Sequence, residues 1–162
     1  MSVISDAARP TGGAVDGAQP VVISRHGGVA SNKATAIRVH ANAMPACQEG
    51  VLRALLAPDF RNHDALPGCA GGPDALATAM RWFDDAFSDQ HVEVLHAVAE
   101  GNLVALHVVF SARHTGHFRG IPPSGKRFSV REMHMIRFDE GREAEHWALR
   151  DESWLERELS TR

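Results

Sequence analysis

The chain has 162 residues, 44% hydrophobic and 23% charged, enough to bury one core or an enclosed pocket within a single ordinary domain. Its 17 basic and 20 acidic side chains leave a net charge of −3, which supplies no electrostatic footprint for nucleic acid. No segment approaches the roughly 18 apolar residues of a membrane span. The two cysteines, Cys47 and Cys69, show no CxxC or zinc-like spacing, so reduced thiols and a cytoplasmic setting are expected, with neither nucleic acid nor membrane as partner.

Residues 1–32 are rich in Gly, Ala, Ser and Pro without a sustained period, and read as a flexible tail ahead of one domain over 33–162. Ser31 or Asn32 is placed to cap a helix carrying Ala36, Ile37, His40 and Met44, which Pro45 ends; a second short helix covers Val51 to Leu56. Asp59 to His63 reads as extended, followed by a Gly/Pro-rich loop to Pro73. Asp74 can cap a longer helix whose Leu76, Ala79, Met80, Phe83 and Phe87 form one apolar stripe. Strands follow over His91–Ala99 and Leu103–His114, then a turn-rich loop, then a hairpin turning at Asp139-Glu140-Gly141, and a last helix over 151–159. Helices first and consecutive strands after predict an α+β fold, a curved, mostly antiparallel sheet wrapped around the N-terminal helices as a cone with a pocket inside.

The hairpin carries the chemistry. Alternation puts Phe128, Val130, Glu132, His134, Ile136 and Phe138 on one face, apolar except at its centre. Ionisable groups are costly to bury, so Glu132 and His134, about 6–7 Å apart along the strand, mark a candidate site. A purely structural reading pairs Glu132 with an arginine such as Arg127 or Arg150. His146 shares its face with Ala144 and Ala148, small residues that leave space before the ring. Asn62 can cap the turn into Asp64, and Asp151 can cap the last helix. Trp82, Phe83, Phe110 and Phe118 are core or pocket wall. No spacing among His63, His107, His114 and His117 matches a zinc pattern, so no metal is expected. With no phosphate loop, dinucleotide fingerprint or nucleophile elbow, the residues point to acid/base work on a bound carbonyl compound, or to binding alone.

The segments LLAPDFRNHD, GPDALATAMRWFDDAFSD, VEVLHAVAEGNLVALHVVFSARHTGHFRGIPPSGKRF and EMHMIRFDEGREAEHW resemble the SnoaL-like polyketide cyclase family over residues of about 33 to 159. That family shares a cone-shaped α+β fold with scytalone dehydratase, limonene epoxide hydrolase and nuclear transport factors. The resemblance implies cofactor-free ring closure on a hydrophobic polyketide ester by intramolecular aldol condensation. It carries the pocket roles onto Asn62, Glu132 (where a glutamine often stands), His134 and His146. It also exposes a departure: the family's acid/base aspartate, two residues after the second histidine, is Ala148 here. Glu132 or Asp151 is then the replacement carboxylate, or the chain is a non-catalytic binding member. Ring-opening hydrolysis on the same fold ranks lower. The chain has no tyrosine, which excludes a tyrosine-based dehydratase mechanism. Relatives of this fold usually pair through the outer sheet face, and Met133, Met135, Trp147 and Leu149 there fit a homodimer or homotetramer.

Overall fold

A computed structural model describes residues 28–65 and 71–161; residues 1–27 of the expected tail and Cys69 lie outside the described residues, whereas residues 29–32, also expected in the tail, are helical. Helix α1, Val29–Ile37, runs straight into a π-helical turn, Arg38–Ala43, and Pro45 follows its end. The helix starts before Ser31 and Asn32, so neither caps it; Asn32 is buried within it. Helix α2 is Glu49–Leu55, strand β1 Leu56–Asn62, and helix α3 Gly72–Ala86. Asp74 does not cap α3 either. Pro73 occupies the first turn, where a missing N–H costs least, and Asp74 binds Arg53 instead, at 2.8 Å. Phe87 ends the predicted stripe by opening strand β2, Phe87–Glu100, which starts four residues ahead of the expected His91.

Strands β3 (Leu103–His114), β4 (Arg127–Asp139) and β5 (Arg142–Arg150) complete a five-stranded sheet in the order β1-β5-β4-β3-β2. Four strands form an antiparallel meander, and β1 joins its far edge parallel to β5. The predicted alternation holds: on β4, Phe128, Val130, His134, Ile136 and Phe138 are buried, and on β3 every second residue from Val104 to His114 is. Irregular pairing near Asp89 and Leu95 bends β2, as bulges do. Helices α1 and α3 lie on the inner face, α1 against β2 and β3, α3 against β1 and β2. The chain is therefore α+β, helices held within a curved mixed sheet.

Helix α4, Glu152–Ser160, closes one end, where Leu155 and Leu159 join an aromatic cluster of Phe87, Phe110, Phe118 and Phe128. Phe118 arrives there on the loop between β3 and β4. Thr115 and Gly116 both donate backbone N–H groups to Ala86 O, at 3.0 and 2.9 Å. A Cβ at position 116 would lie 1.9 Å from the Asp85 carbonyl oxygen, so only glycine permits this approach. Among the described residues no helix is long and apolar enough to cross a membrane.

Candidate active site

Four strand residues and one helical residue converge on the inner face. In register, His134 on β4 lies opposite Ala148 on β5, and His146 on β5 lies between Ile136 on β4 and Asn62 on β1. This diagonal brings His134 Nδ1 to 2.9 Å from His146 Nε2. Glu132 Oε2 is 3.1 Å from His134 Nε2, and Asn62 Oδ1 is 3.0 Å from His146 Nδ1. Glu132, His134, His146 and Asn62, singled out in the sequence, thus form one hydrogen-bonded row.

His40 was legible as a residue of the first helix but not as a site residue. The π-helical turn points its buried ring at the row, with centroids 5.1 Å from His134 and 4.9 Å from His146. Its Nε2 meets Glu143 Oε2 at 3.3 Å. Simple alternation gives Glu143 to the opposite face from His146. The pairing steps from Arg137↔Glu145 to Phe138↔Glu143, skipping Ala144, and that bulge turns Glu143 inward, where it is fully buried.

The partners determine where the protons sit. Asn62 Oδ1 also accepts from the backbone N–H of Asp64, at 3.2 Å, which fixes the amide's orientation. His146 must then donate from Nδ1, leaving a lone pair at Nε2. His134 therefore stands between two acceptors, this lone pair and the Glu132 carboxylate, and a neutral imidazole has one hydrogen to give. The row is one proton short. Without that proton the Glu132–His134 pair is a base; with it, an acid.

Electrostatics favour the base form. Burial holds His146 well below the ordinary imidazole value of 6.5, and the charges of His40 and His134 act in the same direction. Burial also lowers His134, against the opposing effect of the hydrogen bond its ring makes to the Glu132 carboxylate. For Glu132, burial resists ionisation, but the His134 hydrogen bond and the Arg150 charge together hold its carboxyl below the usual range.

Arg150, not Arg127, faces Glu132, its Nε 3.7 Å from Oε1; Arg127 binds Asp89 at 2.7 Å. Arg150 Nε is buried without a hydrogen-bond partner. An inner cavity of about 90 Å³, lined by His40, His134, Glu132, Arg150 and Phe110, adjoins an outer one of about 570 Å³. The outer cavity shares Glu132, Arg150, Phe83 and Phe110 with the inner and adds Trp82, Phe118 and Ala148. Its size is that of a small-molecule site. The aromatic residues expected as wall do line these spaces.

Asp151 lies at the outer rim, and its carboxylate accepts from Trp154 N at 2.8 Å as the N-cap of α4. The structure does not bring it to the histidines. Asp64 comes unexpectedly: its Oδ2 accepts from the Ala148 N–H at 2.7 Å, which holds an exposed carboxylate beside Ala148 on the outer cavity. The signal for this was faint, an acidic residue two places after Asn62.

The model of the SnoaL-like polyketide cyclase family matches residues 34–159. The chain is 36% identical to aklanonic acid methyl ester cyclase DnrD of Streptomyces peucetius over 76 residues, 46% of this chain and 52% of that protein. It is 32% identical to the nogalonic acid methyl ester cyclase of Streptomyces nogalater over 91 residues, 55% of this chain and 68% of that protein. The first match thus spans about half the length of the relative. Among solved structures, TsrD from Streptomyces laurentii superposes with a TM-score of 0.74 at 27% identity, covering 82% of this chain and 97% of that one.

Proposed function

This chain belongs to the SnoaL-like polyketide cyclase family, and from that premise we propose that it closes a ring on a polyketide ester by acid/base catalysis. The observation that carries the reading is the row Glu132–His134–His146–Asn62, one proton short and opening on an apolar cavity. In an intramolecular aldol step the Glu132–His134 pair takes the acidic α-proton, and the electron pair left on carbon becomes an enolate. The Arg150 guanidinium, with an unpartnered buried Nε, supports the developing enolate oxygen. The enolate carbon then attacks the acceptor carbonyl, one C–C bond forms, and the new alkoxide takes a proton back from the same pair, so protons balance over the cycle. Asn62 is a positioning residue that fixes the His146 tautomer, and through it the direction in which His134 donates.

Purified protein is to be assayed on aklanonic and nogalonic acid methyl esters, with product ring count read by mass and NMR. Cyclised product is expected, and Glu132→Gln lowers kcat on the order of 10²–10⁴ with KM near normal. Wild-type turnover that Glu132→Gln leaves unchanged removes Glu132 from the mechanism.

Ala148 favours a second reading, a binding protein without turnover, because the family's acid/base carboxylate is absent there. Asp64, hydrogen-bonded to the Ala148 amide, supports the catalytic reading instead. Asp64→Asn distinguishes the two: a fall in turnover of wild-type product assigns it a share of the proton transfer, whereas tight binding of both esters without product favours the binding protein. A homo-oligomer and a cytoplasmic setting complete the proposal, the former supported by the exposed Met133, Met135 and Leu149, the latter by cysteines without disulfide or metal spacing.

A further inference from the structure

Each of the three buried histidines, His40, His134 and His146, turns one ring nitrogen outward to an acceptor: Glu143 Oε2 at 3.3 Å, Glu132 Oε2 at 3.1 Å and Asn62 Oδ1 at 3.0 Å. Ring hydrogens directed at these acceptors leave lone pairs on His40 Nδ1, His134 Nδ1 and His146 Nε2. One nitrogen from each ring lies within 4.8 Å of the other two. His134 Nδ1 and His146 Nε2 are 2.9 Å apart, and His40 Nδ1 is buried with no hydrogen-bond partner. Lone pairs on His134 Nδ1 and His146 Nε2 at 2.9 Å repel and need a positive centre between them, and the buried His40 Nδ1 needs a partner as well. A proton on His134 is one solution, but it satisfies two of the three nitrogens and leaves His40 Nδ1 unpaired.

We propose that His40, His134 and His146 form a binding site for one divalent transition-metal ion of the zinc class. Imidazole nitrogens are the donors that zinc, cobalt and nickel take, at about 2.0–2.1 Å. Tetrahedral geometry at that radius separates the donors by about 3.3 Å, so the His134–His146 contact opens by a few tenths of an ångström and any wider separation to His40, at most 4.8 Å, closes toward that value. The outer layer has the composition such sites use: two carboxylates and an amide fix the tautomers and raise the basicity of the rings. Glu143, fully buried, has one oxygen without a hydrogen-bond partner, a negative group that a dication offsets. His40 and His134 also line the inner cavity, which gives the ion a path and leaves it a non-protein fourth ligand, as in sites that polarise a carbonyl oxygen. The site goes beyond the acid/base reading and does not depend on it. Proton and metal exclude one another at His134 Nδ1, so the cyclase mechanism above describes the metal-free protein.

Tag-free, chelator-stripped full chain is to be titrated with Co²⁺ and Zn²⁺, following the visible bands of tetrahedral cobalt and the heat of binding. One equivalent per chain is expected, with affinity rising with pH as protons are displaced. Glu143→Gln, nearly isosteric, weakens it by about 10–100-fold through the outer layer, and His40→Gln abolishes the tetrahedral spectrum. The half-exposed pair His96 and His107, whose Nδ1 atoms are 3.1 Å apart, is the competing site. Replacing both with Ala leaves the Co²⁺ spectrum intact. No tetrahedral Co²⁺ spectrum in the wild type, or one lost with His96 and His107 but retained in His40→Gln, overturns the site. Ester turnover is measured separately: cobalt binding without turnover leaves the metal site standing and sinks the cyclase reading, and turnover without binding does the reverse.

Discussion

His134 shows how little chemistry a residue's identity carries until its neighbours are known. A histidine on an apolar strand face is ordinarily a satisfied core residue, yet here it is flanked by two acceptors and commands a single hydrogen. The pH dependence of stability belongs to this scale. His134 and His146 are held below 6.5 in the fold but charge freely near that value when unfolded, so below it the unfolded chain binds more protons. Their contribution is full above 6.5 and is lost as pH falls toward the lowered folded values. Glu132, also held low, withdraws stability further down, as pH falls through its folded value. The Tm should therefore drop between about pH 7.5 and about pH 5.5, and His146→Gln should flatten that slope. An equally steep slope in the variant would mean that other groups set the acid limit. Asn62→Ala, which frees the His146 tautomer, should lower kcat more than it raises KM, by roughly 10-fold or more, and shift the pH–rate profile; a change in KM alone would make Asn62 a substrate contact.

At the scale of elements, two backbone irregularities do most to build the site. The bulge at Ala144 turns Glu143 to the side of His146, and the π-helical turn Arg38–Ala43 aims His40 at both. The hairpin that carries the bulge is set by Glu140 and Gly141, with φ of 45° and 78°, the two left-handed residues of a type I′ turn. The loop between β3 and β4 is held differently, by close backbone approach at Gly116. Gly116→Ala should cost about 1–3 kcal/mol, seen as a Tm lower by roughly 2–4 °C per kcal/mol for a chain this size. Because Phe118 rides on that loop into the aromatic cluster, the outer cavity should loosen as well, and ligand affinity fall with stability. A variant that melts like the wild type would show that the loop can lift away from Asp85 without cost.

Across the whole molecule, the sheet buries one face on the helices and leaves the other to solvent. Leu149 is 75% exposed, with Met133 and Met135 close to half exposed on the neighbouring strand. Trp147 lies between them in sequence, its indole stacked on His63 at 4.5 Å. Large apolar side chains grouped on an antiparallel sheet face are the usual substance of a homo-oligomeric contact. Sedimentation should find a dimer or larger species, and Leu149→Glu with Met133→Glu should dissociate it while the monomer stays folded. A wild-type monomer at high protein concentration would leave that face free.

Alternation along β4 is a local property, so the sequence alone could place Glu132 and His134 on the buried face, and the helix-then-strand order could fix the α+β class. Local patterns also identified β3 end to end, the hairpin turn, and Asp151 as the cap of α4. The family motifs added Asn62 and His146 and the absence of the aspartate at Ala148. His40 and Glu143 were beyond such reasoning, because a π-turn and a bulge each shift the periodicity on which it depends. Asp64 was beyond it for another reason: its contact with Ala148 joins residues 84 positions apart across a parallel strand pair. The sequence by itself thus determined which surfaces are buried and which chemistry is available. Only the tertiary structure decided which nitrogens face one another, since that depends on register, bulge and helix phase, none of which is written in any one segment.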